Sequence, residues 1–236
     1  MDALTLLTAT GCRPQAWELC QRWMEAQDYA GPVRWIVVDD GPQPQESTFR
    51  RDRWDIEVVR PQPYWQPGEN TQARNLLAGL DQVTDGAPLL IIEDDDHYAP
   101  SWLRMADNAL GRAELVGETR ARYYNVSDWR WREHNNTTHA SLCATGMRGS
   151  AVSFFRSCCA SQHRFIDMTL WRNYPGNKRL FSSHLVTGIK GLPGRAGIGM
   201  GHRSSLHGST PDPTRARLRA WLGNDADAYL SLMPQA

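Results

Sequence analysis

The chain has 236 residues, 41% of them hydrophobic and 22% charged, which suits one compact domain and excludes wholesale disorder. No apolar run approaches the ~18 residues of a membrane-spanning helix, and Met1-Asp2-Ala3 lacks the basic start of a secretory signal. Five cysteines with no C-x-x-C pair argue against a disulfide framework or zinc knuckle, so a reduced, cytoplasmic setting is expected.

Leu4–Thr10 is short, apolar and Thr-rich, like a buried strand, and Gly11 and Pro14 end it. From Ala16, Trp17, Cys20, Met24 and Gln27 keep helical spacing up to Gly31-Pro32. Val33–Asp39 is a second apolar strand running into Asp39-Asp40-Gly41. Residues 42–69 are rich in Pro and Gln and read as loop, with a short strand at Ile56–Val59. Thr71–Val83 is helical, with Ala73, Leu76, Leu77, Leu80 and Val83 on one face. Pro88–Ile92 is a third buried strand that leads straight into Glu93-Asp94-Asp95-Asp96-His97. A helix opens at Pro100 or Ser101.

Apolar strands alternating with amphipathic helices predict an α/β fold whose mostly parallel sheet is covered on both faces. Ligands of such sheets sit beyond the carboxyl ends of the strands. Thr8-Ala9-Thr10, Asp39-Asp40 and Asp94-Asp95-Asp96 therefore belong on one rim. Neither G-x-G-x-x-G nor G-x-x-x-x-G-K-[ST] is present, so a Rossmann dehydrogenase and a P-loop NTPase lose their main support. In the second half, strands are expected at Arg120–Val126 and Ala151–Phe155. Helices are expected from Asp167, at Thr214–Leu222 and at Ala226–Leu232. Glycines at 188, 191, 194, 197, 199 and 201 predict a mobile, lid-like loop.

The zero net charge conceals a division. Residues 1–119 hold 20 acids and 10 bases, a balance of −10, and residues 120–236 hold 6 acids and 16 bases, a balance of +10. An acidic half suits a divalent cation and a basic half a polyanion. Four adjacent carboxylates repel one another and call for a counter-charge. Hard oxygen ligands point to Mg2+ or Mn2+.

The order LTAT, WIVVDDG, NTQARNLLAGL and LLIIEDDDHYAPSWL resembles GT-A glycosyltransferases, particularly the family 2-like group. The resemblance covers most of residues 4–110 and, more loosely, 145–202. It implies a nucleotide-sugar-binding lobe, 1–115, and a smaller acceptor-binding lobe, 116–236, within one GT-A domain. It also implies a UDP-sugar donor, with UDP-glucose the first expectation. By the family pattern Asp39 meets uracil, Thr8 and Ala9 line the base pocket beside Thr10 and Asp40, and Arg74 and Asn75 sit near the nucleotide. Asp94 faces the ribose or sugar, with Asp95 also on the donor side, and Asp96 holds the metal, with Asp94 as a further candidate ligand. The family's D-x-D is here D-D-D, which leaves open which two carboxylates serve.

Sugar transfer needs a neutralised leaving diphosphate and a base for the acceptor hydroxyl. Asp167 is the only acid between Glu133 and Asp212 and is the expected base of an inverting reaction. Lys190 and Arg195 are expected to reach the diphosphate. His202 is expected as a further metal ligand, with His184 and His207 as alternatives. Trp129, Trp131, Trp171 and Arg172 are candidate acceptor residues, because arginines among aromatics suit phosphates and displaced bases.

Gly188–Arg203 and the small size are similar to compact bacteriophage glycosyltransferases, some of which decorate hydroxymethylated pyrimidines in DNA. The leading expectation is transfer to 5-hydroxymethylcytosine or its uracil counterpart in DNA. The setting would be the host cytoplasm, without a membrane or an implied protein partner. The alternatives are a glycan or surface-polysaccharide glycosyltransferase, a non-catalytic nucleotide- or DNA-binding module, and a nucleotidyltransferase.

Overall fold

The computed structural model describes residues 3–161, 164–197, 199, 202 and 207–233. The chain runs β1 (Leu4–Thr10), α1 (Pro14–Glu25), β2 (Val33–Asp39), β3 (Trp54–Val59), α2 (Gln72–Leu80), β4 (Leu89–Ile91) and β5 (His97–Tyr98). There follow α3 (Trp102–Leu110), β6 (Leu115–Glu118), β7 (Arg122–Asn125), β8 (Arg130–Glu133), β9 (Thr145–Met147), α4 (Ser150–Ser161) and α5 (Ile166–Asn173). The last elements are β10 (Lys178–Phe181), β11 (Val186–Lys190), β12 (Thr210–Pro211), α6 (Ala216–Leu222) and α7 (Ala226–Leu230). Among the described residues no helix is long and apolar enough to cross a membrane.

The main sheet has the order β10-β6-β9-β4-β1-β2-β3. Its pairings are parallel except where β9 runs against β4 and β6. Successive side chains of a strand point to opposite faces, and both faces here are buried. Leu4, Leu6, Trp35 and Val37 pack with α1 and α3 on one side, and Leu7, Ile36 and Val38 pack with α2, α4 and α5 on the other. A second sheet, β12-β8-β7-β11-β5, completes the first core through Tyr124, Val126, Val186 and Ile189. Each sheet takes strands from both sides of residue 115.

Two expected elements differ. Ala151–Phe155 is helical, part of α4. A short apolar run cannot by itself distinguish strand from helix. Here Ala151, Phe155, Cys158 and Cys159 are buried at helical spacing. The glycine-rich stretch is also not all loop. Gly188 and Lys190 lie in β11, every residue of which is buried. Ile198, Met200, Gly201 and Arg203 of that stretch lie outside the described residues.

Candidate active site

The parallel register brings Thr10 opposite Asp39 at the carboxyl ends of β1 and β2, with β4 on the other flank of β1. The acidic run after β4 therefore opens onto the same rim. Thr10 Oγ1 donates to Asp94 Oδ2 at 2.7 Å. Arg13, in the turn between β1 and α1, spreads its guanidinium across two carboxylates. Nη1 is 2.5 Å from Asp94 Oδ1, and Nη2 is 2.7 Å from Asp95 Oδ2. Its backbone N–H donates to Gln45 Oε1, and Gln45 Nε2 donates to Thr10 Oγ1.

The four acids have different surroundings. Asp95 Oδ2 also lies 3.5 Å from His202 Nε2. A Cβ on Gly197 would sit 2.6 Å from that same ring nitrogen, so a glycine is needed for this close approach. Asp96 turns to β11. Its Oδ1 accepts the Ile189 N–H at 2.8 Å and lies 3.6 Å from Lys190 Nζ, while its buried Oδ2 has no partner. Glu93 accepts from Gln72 Nε2 and feels the charges of Asp96, Lys190, Asp95 and Asp167. Burial pushes Glu93 well up and raises Asp96 to about 6, although Lys190 opposes both. Burial likewise raises Asp94 to about 6 against Arg13. Burial also disfavours charge on Asp95, but Arg13, Lys190 and His202 outweigh it and hold its pKa below the ordinary range.

A divalent cation fits here through hard donors. Asp95 and His202 present an oxygen and a nitrogen close enough to share one ion. The expected ligand Asp96 turns its Oδ1 to β11. Glu93, Asp96 and Cys143 also converge, with ligand atoms within 4.8 Å of one another. That group suits a hard cation poorly, because burial drives the Cys143 thiol well up and it hydrogen-bonds Asp96 instead.

Asp39 and Asp40 close the far end of the rim. Asp39 accepts from the Gly41 and Gln45 N–H groups and from Arg60 at 2.8 Å. Asp40 is fully buried and holds Arg195 at 2.5 Å, Arg74 at 3.2 Å and the Thr71 hydroxyl. Burial disfavours its charge, but Arg195, Thr71 and Asn75 outweigh this and lower its pKa. Arg195 also donates to Gly11 O and Thr71 Oγ1 and stacks over Trp65 at 4.4 Å. It thus clasps the loop after β11 to the end of β2, and its charge still reaches Asp94. Gly11 has φ +138°, and a Cβ there would collide with Asp40 Oδ1.

Several expected roles change. Thr8 is fully buried and accepts from Trp35 Nε1 at 2.9 Å, so it belongs to the core and only Ala9 is partly open. Lys190 is buried and neutralises the acids from within. Trp171 is core, its indole N–H donating to Thr145 Oγ1 against Gly117. Arg172, on α5, is exposed. Trp129 and Trp131 lie at the second sheet beneath the guanidinia of Arg215, at 4.1 Å, and Arg217, at 4.3 Å. Asp167 is in the first turn of α5, and burial raises its pKa. His184 lines a separate cleft with Glu118, Arg122 and Tyr123, and His207 is exposed. Sequence patterns do not point to Arg13, Gln45, Arg60 or Trp65. The only signal for Arg13 is its place three residues after Thr10.

No protein-family model matches the chain, and no curated protein sequence does. Solved structures share its fold. S. aureus TarS superposes with a TM-score of 0.57 at 10% identity over 81% of this chain and 37% of TarS. TarS 1-349 in complex with UDP gives 0.55 at 10% identity over 79% of this chain and 60% of that one. Its UDP-GlcNAc complex gives 0.54 at 10% identity over 86% and 62%. The chain thus spans less than two thirds of these neighbours, and the likeness shows that it shares the α/β fold of TarS.

Proposed function

We propose that the chain is a metal-dependent glycosyltransferase that uses a UDP-sugar. The observation that carries this is the convergence of Asp39-Asp40, Thr10-Arg13 and Asp94-Asp95 with His202 on one rim of a fold shared with TarS, which was solved with UDP and with UDP-GlcNAc. Asp95 and His202 would hold Mn2+ or Mg2+, with Asp94 beside them. Such an ion, when bound, neutralises charge growing on a leaving diphosphate. The uridine end belongs beside Asp39 and Asp40, whose arginine and backbone partners fix both carboxylates before a ligand arrives. Preorganised groups of this kind need no rearrangement as charge develops.

The acceptor oxygen attacks the anomeric carbon as the bond to the diphosphate breaks. Asp167 takes the hydroxyl proton, and the anomeric centre inverts. Its raised pKa makes it a better base than an ordinary Asp, and its charge already reaches Glu93. Glucose is the first donor sugar considered, and the TarS complex adds N-acetylglucosamine.

For the acceptor we propose a 5-hydroxymethylpyrimidine in DNA. What supports it is the +10 balance of residues 120–236 and a run of stacked Arg–Trp pairs. Arg215 covers Trp129, Arg217 covers Trp131 and Trp221, and Arg122 covers Trp221. A guanidinium lying on an indole can still turn its N–H edge toward a phosphate. A glycan acceptor is the second reading.

The test incubates the protein with Mn2+, a UDP-sugar mixture and DNA containing 5-hydroxymethylcytosine or 5-hydroxymethyluracil, then weighs the nucleosides by mass spectrometry. A hexose-sized gain, lost in Asp95→Asn, is expected. UDP release without any gain in DNA mass would move the acceptor to a glycan. Release of sugar 1-phosphate in place of UDP, with UMP transferred to the acceptor, would overturn sugar transfer in favour of nucleotidyl transfer.

A further inference from the structure

We infer that Arg13 is the resident counter-cation of the donor-free site, and that it competes with the divalent ion for Asp95. The inference rests on the metal reading above and concerns how that site is regulated. Its basis is a shared atom. Asp95 Oδ2 is the oxygen nearest His202 Nε2, at 3.5 Å, and it is also the oxygen that Arg13 Nη2 holds at 2.7 Å. An ion bound by Asp95 and His202 would meet the guanidinium charge at this point. Two cations cannot share one carboxylate oxygen in a buried pocket without strong repulsion.

The contact is tight. The side chains of Arg13, Asp94 and Asp95 are 12%, 1% and 5% exposed, and the planar fork spans both acids at once. A lysine could not bridge them in this way. Lys190 makes its ion pair with Asp96 on the β11 side, so it acts on Asp95 through its field and does not occupy Asp95 Oδ2. The backbone of Arg13 is anchored independently by Gln45, so its side chain can leave without moving the turn.

Metal binding therefore requires the guanidinium to swing off Asp95. The diphosphate of an arriving donor offers it replacement oxygens on the same rim. Metal alone binds weakly, and metal with UDP binds cooperatively. By linkage the two enhance each other by the same factor.

The test measures Mn2+ affinity of the full chain from free Mn2+ by electron paramagnetic resonance, with and without UDP. In the wild type, UDP is expected to tighten Mn2+ binding at least about tenfold, within the usual range of coupling between sites. Arg13→Gln is expected to bind Mn2+ alone at least about tenfold more tightly than the wild type, and UDP should then add less. Equal or weaker affinity in Arg13→Gln, while Asp95→Asn still abolishes binding, overturns the inference and leaves the metal site standing. If Asp95→Asn binds Mn2+ like the wild type, the metal reading fails and the inference falls with it. Should Arg13→Gln not fold, Arg13→Lys serves instead. It keeps the charge but reaches one carboxylate, so Mn2+ alone should bind several-fold more tightly, and unchanged affinity overturns the inference.

Discussion

Replacing Lys190 by Met tests whether the acidic run is held together from within. Lys190 Nζ lies 3.6 Å from Asp96 Oδ1, with side chains 8% and 0% exposed. At an effective dielectric near 20, a unit pair at this separation is worth roughly 4–5 kcal/mol. Met fills nearly the same volume, so packing changes little, but buried Asp96 and half-buried Glu93 are left without their cation. Removing one partner of a buried pair typically costs about 3–5 kcal/mol, and Lys190→Met should fall in that range. Urea unfolding at fixed pH measures it, with the denaturant slope as a check on two-state behaviour. The double variant Lys190→Met/Asp96→Asn removes both charges while the Asn oxygen can still accept the Ile189 N–H. It should be more stable than Lys190→Met alone, which is a coupling that distant sites do not show. A loss under about 1 kcal/mol for Lys190→Met, or a double variant that is simply additive, would refute the reasoning.

Three further outcomes are expected. Asp167→Asn should lower kcat at least about 100-fold with little change in KM, as for loss of a general base. A base works only when unprotonated, so the wild-type rate should fall as pH drops through a value above the ~3.9 of an ordinary Asp, because burial raises this group. Trp171→Phe should cost about 2–3 kcal/mol in chemical denaturation, from a lost indole hydrogen bond and an unfilled core, without changing acceptor KM. Gly11→Ala should destabilise by about 1–3 kcal/mol and weaken UDP binding in calorimetry, because its φ of +138° and its close approach to Asp40 leave no room for a methyl group.

The rim was legible in the sequence because it follows from strand polarity alone. Apolar runs ending in Thr10, Asp39-Asp40 and Asp94–Asp96 place those residues together as soon as the strands are parallel. The division of labour within Asp94-Asp95-Asp96 was not legible. It depends on which neighbour each residue of one turn faces, and those neighbours, Arg13 on one side and β11 and His202 on the other, come from parts of the chain far from the acidic run. Trp171 and Thr8 mislead for a related reason. Composition marks an indole or a hydroxyl as capable of binding, but only the fold shows that each is already paired in the core. Ala151–Phe155 reads as a strand because a run of five residues, four of them apolar, carries no period, and the helix emerges only when Cys158 and Cys159 extend the buried face. Arg13 carries no motif of its own, yet it is the counter-charge that four adjacent acids require.

The central claim is donor chemistry at Asp95, and UDP release measures it most directly. Purified protein is supplied with Mn2+ and either UDP-glucose or UDP-GlcNAc, without acceptor, and free UDP is quantified over hours. Slow metal-dependent UDP release, lowered at least about 100-fold in Asp95→Asn but retained in an Asp81→Asn control on the exposed end of α2, is the expected result. Equal release from the wild type and Asp95→Asn, or no turnover of either donor, would contradict the account.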